Sequence, residues 1–251
     1  MKSLPLIWAA ALLLLCGAAT AAPLTVAVAA NVKYAFDDLA VEFRKDTGIE
    51  VRGVFGSSGK ITTQVKNGAP YDIFISADTE YPEILYKDGL AVTQPRIYAY
   101  GVLVLWTKKE LDLGKGLPLL ADARVQKVAI ANPNVAPYGR AALQALRGAR
   151  LQAAVEPKLV YGESITQATQ FVDAGAADIG VIAKSIVLSP EMAGRGKWSE
   201  VSRDSYQPIA QAVVELKHGA DTQAKDARKF VDFMFTPKAR AIFEKYGYVL
   251  P

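Results

Sequence analysis

This 251-residue sequence predicts an α/β fold with mainly parallel sheets, and three observations carry that expectation. Short apolar runs of strand length alternate with stretches whose apolar residues recur at helical spacing, the pattern of successive βα units. The junctions between them are marked by Gly, Pro, Asn and Ser, which punctuate turns and open helices. No short repeat, low-complexity segment or Ser/Pro-rich linker interrupts the alternation.

The N-terminus predicts the compartment. Lys2 precedes the apolar run Leu4 to Cys16, and Ala19-Thr20-Ala21 fits the small-x-small cleavage pattern of a secretory signal peptide cut before Ala22. That run is shorter than the roughly 18 to 20 residues a membrane span needs. Leu13-Leu14-Leu15-Cys16-Gly17 places a leucine as in a lipoprotein acylation site, but Leu15 stands where a small residue normally precedes the cysteine. Cleavage removes the one cysteine, so the 230 mature residues hold no disulfide and no thiolate ligand, and packing must supply the stability. Without Lys2 there are 28 basic residues against 25 acidic ones, a net charge of about +3. The basic residues are scattered and not interleaved with aromatics, so nucleic acid is not expected as a partner.

Leu24 to Ala29 reads as the first strand, with Phe36, Leu39, Ala40 and Phe43 on one face of the helix after it. Ile49 to Phe55 reads as a second strand, Ile61 to Asn67 as a short helix, and Gly68-Ala69-Pro70 as a turn. Asp72 to Ser76 is a third strand, followed by a helix carrying Tyr81, Ile84 and Leu85. A second cycle has strands at Gly101 to Trp106, Lys127 to Ala131, Lys158 to Tyr161 and Ala177 to Ile182. Its helices run from Gly139 to Arg147 and through Ile165, Ala168, Thr169 and Val172. Gln211 to Leu216 is a last strand, before a helix through Ala227, Phe230, Val231 and Met234 and another opened by Pro237. Strands such as Gly101 to Trp106 and Gln211 to Leu216 are candidates to cross between two lobes, which would make a hinge and a ligand cleft.

Ligands of open α/β sheets bind at the carboxyl edge of the strands, where helices begin. Four junctions there carry suitable residues. At Ala29-Ala30-Asn31, the asparagine either caps the next helix or donates its amide to a ligand. Gly56-Ser57-Ser58-Gly59 offers two hydroxyls and free N–H groups to an anion, although a Ser cap and tight turn also explain it. Asn132 to Arg140 is a proline-held loop opening a helix at Tyr138, and Gly162-Glu163-Ser164-Ile165 opens another.

The residue inventory argues against catalysis and cation binding. Gly162 to Thr166 misses the last glycine of G-x-S-x-G, and the sole histidine, His218, is expected in a surface turn. A phosphate loop at Gly56 to Lys60 would need glycine at Val54 and a hydroxyl at Ile61. Asp72, Asp78 and Glu80 form no dense acidic loop and are expected to cap or solvate helix ends. Neither a cofactor nor a cation ligand is expected.

Three strings carry a specific resemblance: Val26-Ala27-Val28-Ala29-Ala30-Asn31, Val54 to Gly59, and Gly68-Ala69-Pro70-Tyr71-Asp72-Ile73-Phe74-Ile75-Ser76-Ala77-Asp78. With Gly180-Val181-Ile182 and the ending Phe243 to Tyr248, they make the mature chain resemble the periplasmic molybdate-binding proteins of ABC importers over essentially its full length. The resemblance implies a two-lobed periplasmic-binding-protein fold, each lobe a mainly parallel sheet flanked by helices, joined by two crossover strands. One lobe would comprise residues 22–100 with 210–251 and the other residues 101–209. It also implies a monomeric receptor that holds molybdate or tungstate as an oxyanion and delivers it to a membrane permease. Position by position, the implied contacts are Asn31, helped by the Ala30 N–H, then Ser58, the Tyr138 backbone and the Ile165 N–H.

One departure is visible. Where some relatives have a tyrosine whose hydroxyl reaches the anion, this chain has Ala183 followed by Lys184. Ala183 is therefore left outside the expected site, and Lys184 is more simply a solvated surface lysine than an electrostatic helper. A pocket of donors alone suits a dianion that carries no proton, because hydrogen phosphate would bury an O–H without an acceptor. The rival readings are a receptor for sulfate, iron or an organic anion, and an enzyme on the same fold.

Overall fold

The computed structural model describes residues 22–251, and the expected signal peptide lies outside the described residues. β1 (Leu24–Ala29) is buried along nearly its whole length, as befits a strand covered on both faces. It pairs in parallel with β2 (Val51–Gly56) and β3 (Ile73–Ile75). Between them run α1 (Lys33–Thr47), which turns Ala35, Phe36, Leu39 and Phe43 inward, and α2 (Ser58–Lys66). α1 stops at Gly48, whose φ of 73° lets its N–H reach the Arg44 carbonyl at 2.8 Å.

α3 (Glu80–Lys87) leads to β4 (Arg96–Gly101), and β5 (Leu103–Thr107) follows after the single residue Val102. The second half contains β6 (Val128–Ala131), α4 (Pro137–Gly148), α5 (Gln152–Val155), β7 (Leu159–Gly162) and α6 (Ile165–Asp173). It continues through β8 (Ile179–Ala183), α7 (Lys184–Val187) and β9 (Lys197–Glu200). β10 (Ile209–Glu215), α8 (Lys217–Thr222), α9 (Ala224–Phe233) and α10 (Pro237–Lys245) then complete the chain.

The strands form two five-stranded sheets, ordered β2-β1-β3-β10-β4 and β7-β6-β8-β5-β9. β10 is antiparallel to both of its neighbours in the first sheet, and β5 is antiparallel to both of its neighbours in the second. The remaining four strands of each sheet share one direction, so each is mainly parallel, as the alternation predicts. The one reversed strand in each sheet is the strand that arrives from the other half.

The crossings differ in place from the expected ones. Gly101 to Trp106 is not one strand: Gly101 pairs with Ile209 in the first sheet, Leu103 with Ala183 in the second, and the change of sheet happens at Val102. The return crossing is the segment 201–208, and Gln211 to Leu216 stays with the first sheet. An all-apolar run such as Val102 to Trp106 conceals this change, since both sheets bury their strands equally.

Aromatic residues lock the helices onto the first sheet. Phe43 of α1 meets Phe230 of α9 edge-on at 5.0 Å between centroids, and Phe243 of α10 lies 5.0 Å from Tyr98 of β4. α10 then returns the chain to Tyr248, and Val249 bridges back to Tyr100.

Candidate functional site

Four helical N-termini converge where the two sheets face each other. The short 3-10 turn Ala30–Val32 continues β1 into α1, and α2, α4 and α6 each begin within a residue or so of the same space. The first N–H groups of a helix have no intrahelical acceptor, and the helix dipole favours negative charge beside them. A small, tightly closed pocket lies at this convergence. Asn31, Ser58, Tyr138, Ile165 and Ala30 all line it, together with Ala29, Gly56, Ser57, Ala77, Ala136 and Pro137. None of these eleven side chains carries a charge.

Each junction is shaped by its own residues. At α2, Ser58 is fully buried and its Oγ accepts the Ala77 N–H at 3.0 Å, leaving the hydroxyl hydrogen for another acceptor. Ser57 stands at the N-cap but makes no capping bond, and its Oγ is buried without a protein partner. At α6, Ser164 takes the cap instead, accepting the Gln167 N–H at 3.2 Å, so Ile165 and its free N–H face the pocket. At α4, Ala136 is extended and Pro137 begins the helix, so Tyr138 is its second residue and not its first. Gly139 follows because a side chain there would run into the Ala131 carbonyl at the end of β6.

Asn31 takes a different part from a simple ligand amide. Its Nδ2 donates to Gln211 Oε1 at 2.8 Å and to Tyr248 Oη at 3.0 Å, which engages both hydrogens. Its main-chain carbonyl accepts from Tyr248 Oη at 2.9 Å and Ser185 Oγ at 2.7 Å. What remains for a ligand at this junction is the backbone N–H of the turn. Tyr138 Oη accepts from Gln211 Nε2 at 3.2 Å, and burial raises its pKa well above the ordinary phenol value, with Tyr248 adding to the rise. Tyr98 and Tyr248 are raised for the same first reason, so all three hydroxyls are neutral donors at ordinary pH.

Above the pocket the halves are held together. Gly59 N–H donates to the Val135 carbonyl at 2.9 Å, and Tyr81 Oη to the Asn134 carbonyl at 3.3 Å. A side chain on Gly59 would meet Tyr81 Oη at 2.5 Å and Val135 Cα at 3.0 Å, so glycine permits this approach. Lys60 pairs with Glu163 at 2.6 Å, and Arg140 pairs with Asp78 and, at 3.4 Å, with Glu80. Burial raises the Asp78 pKa, and the Arg140 charge works against that rise.

Residues discussed as alternatives fall elsewhere. Lys184 is paired with Glu200 and does not line the pocket, nor does Ala183. His218 lies within α8 and not in a turn, with Nδ1 2.9 Å from Asp72 Oδ1. Asp72 ties strands together, accepting the Thr25 N–H at 2.7 Å, whereas Asp78, just before the N-cap Thr79, accepts the Tyr81 N–H in the first turn of α3 at 3.3 Å. Among the described residues, no group of three metal-ligating side chains is present and no helix is long and apolar enough to cross a membrane. Sequence reasoning missed Gln211, Tyr248, Tyr98 and Ser185 beneath the pocket. The available signal was a glutamine opening the apolar run Ala212-Val213-Val214.

The chain matches the family model for bacterial extracellular solute-binding proteins over residues 24–249. It is 42% identical to the molybdate-binding protein ModA of Azotobacter vinelandii, with 94% of each chain covered. It is 40% identical to ModA of Rhodobacter capsulatus, covering 92% of this chain and 90% of that one. The solved structure of the Azotobacter vinelandii periplasmic molybdate-binding protein superposes with a TM-score of 0.84 at 36% identity, over 91% of this chain and 99% of that one. With likeness of that extent in both sequence and fold, the chain belongs to the family of bacterial extracellular solute-binding proteins, alongside its ModA relatives.

Proposed function

We propose that this protein is a periplasmic receptor for molybdate that serves an ABC importer. It is a carrier and not an enzyme. The observation that carries the reading is the pocket between the sheets, where four helical N-termini meet and no side chain is charged, in a chain so similar to the two ModA proteins. Ser58 offers its hydroxyl and N–H, and Tyr138, Ile165 and the Ala30-Asn31 turn offer backbone N–H groups. Such a set suits a tetrahedral dianion and leaves a protonated anion with an unpaired hydrogen.

Tungstate, which has the same charge and shape, is expected to bind as molybdate does. The partner proposed is the importer's membrane permease, and the working form is a monomer secreted through residues 1–21. The proposed lobes are residues 22–100 with 210–251 and residues 101–209; the sharing of strands between sheets supports this division except at Gly101 and Ile209, which pair in the first sheet. Calorimetric titration of the mature protein with molybdate, tungstate and sulfate tests the reading. One-to-one binding of the first two, with sulfate weaker by at least about 100-fold, a difference of about 2.7 kcal/mol, is expected. Sulfate binding as tight as molybdate would overturn it.

A further inference from the structure

Gln211 is completely buried and occupies a bulge, where the register of β10 against β4 shifts between Gln211 and Ala212. Bulges re-aim side chains, and this one serves a residue that joins both halves of the molecule. Gln211 Oε1 accepts from Asn31 Nδ2 at 2.8 Å and from Tyr98 Oη at 2.9 Å, both of which belong to the half built on the first sheet. Gln211 Nε2 donates at 3.2 Å to Tyr138 Oη, which belongs to α4 in the other half. One amide thus grips two of the residues that line the pocket, one from each side of the cleft, without lining it.

The position beside the first crossing matters equally. A Cβ on Gly101, next to the change of sheet at Val102, would collide with Tyr138 Oη and Gln211 Nε2. The hydrogen-bonded group therefore fills the space immediately beside the hinge. A neutral group that both accepts and donates serves it: Oε1 accepts from one half while Nε2 donates to the other. A carboxylate could only accept, and would place a charge under a pocket made for an anion.

We propose that Gln211 is a positioning residue that couples anion binding to closure by holding Asn31 and Tyr138 in register across the hinge. The proposal rests on the anion-receptor reading above. When the halves separate, the Gln211–Tyr138 bond must break or stretch, because Gln211 lies on β10 of the first sheet and Tyr138 on α4 of the other half. The closed arrangement is therefore favoured by an interaction that makes no contact with the ligand, and losing it lowers affinity by lowering the closed population.

Two variants test this, Gln211→Met and Gln211→Glu, each titrated with sodium molybdate beside the parent protein and checked by thermal unfolding. Gln211→Met is expected to weaken binding by about 10-fold or more while retaining a cooperative unfolding transition. Gln211→Glu is expected to weaken it by about 100-fold at about pH 8, and to regain at least about tenfold at about pH 5.5, once the buried carboxyl is protonated and can donate again. The titratable groups facing it are Tyr98, Tyr138 and Tyr248, all raised by burial, with Asp78 near Tyr98. The parent titrated at both pH values accounts for any change in these or in molybdate itself.

Variants that bind within about threefold of the parent would overturn the proposal and leave the receptor reading intact. Loss in Gln211→Glu with no recovery at the lower pH would also overturn it, in favour of a purely structural role. Should Gln211→Glu fail to fold, the result with Gln211→Met decides. A parent that binds no molybdate would bring down the receptor reading and this proposal with it.

Discussion

The floor of the pocket and its rim are built from opposite materials. The floor is uncharged: Ser58, Tyr138 and Ile165 are nearly or fully buried, and what they offer is hydroxyl and N–H hydrogens. The rim carries opposed charges, Lys60 with Glu163 and Arg140 with Asp78 and Glu80, with side chains that reach solvent to differing degrees. Charge in the floor would attract every anion alike, whereas fixed neutral donors distinguish a bare dianion from a protonated one. Charge in the rim can favour closure without touching the ligand. Selection therefore belongs to the floor, and closure to the rim together with Gln211 beneath the pocket.

Substitutions can break that division. The largest effect is expected from Gly59→Val, which places carbon against Tyr81 Oη and Val135 and keeps the halves apart. Calorimetry should then show molybdate affinity lower by about 100-fold or more with the melting temperature changed by only a few degrees. Ser58→Ala comes next. It removes a hydroxyl from the floor and its bond to the Ala77 N–H, and a loss of about 10- to 100-fold is expected, since a hydrogen bond to a charged group contributes about 1.5–3 kcal/mol. An unchanged affinity would move the anion elsewhere. The smallest effect belongs to Lys60→Ala, because its pair with Glu163 is half-exposed and worth at most about 1 kcal/mol. Less than about fivefold is expected, and a loss rivalling that of Ser58→Ala would erase the distinction between floor and rim.

The sequence displayed most of the fold because periodicity survives wherever one face is buried. β1, α1 and β3 lie where their apolar spacing predicts. β9 was missed because Lys197-Trp198-Ser199-Glu200 is a mostly exposed edge strand with no apolar alternation. The place of each crossing was hidden because strand pairing at Val102 depends on contacts far along the chain. At the site, helix-start chemistry pointed to all four junctions, and the family resemblance selected residues among them. Neither could show that both Asn31 side-chain hydrogens are engaged by Gln211 and Tyr248, since those partners lie 180 and 217 residues away.

Ionic strength separates recognition by neutral donors from recognition by charge. Titrating molybdate at about 0.05 M and about 0.5 M potassium chloride tests this, because salt screens exposed charges strongly and buried dipoles weakly. The floor built from Ser58, Tyr138 and Ile165 predicts an affinity that changes by less than about threefold. A fall of about tenfold or more would mean that the cationic side chains of the rim hold the anion, and would contradict the account.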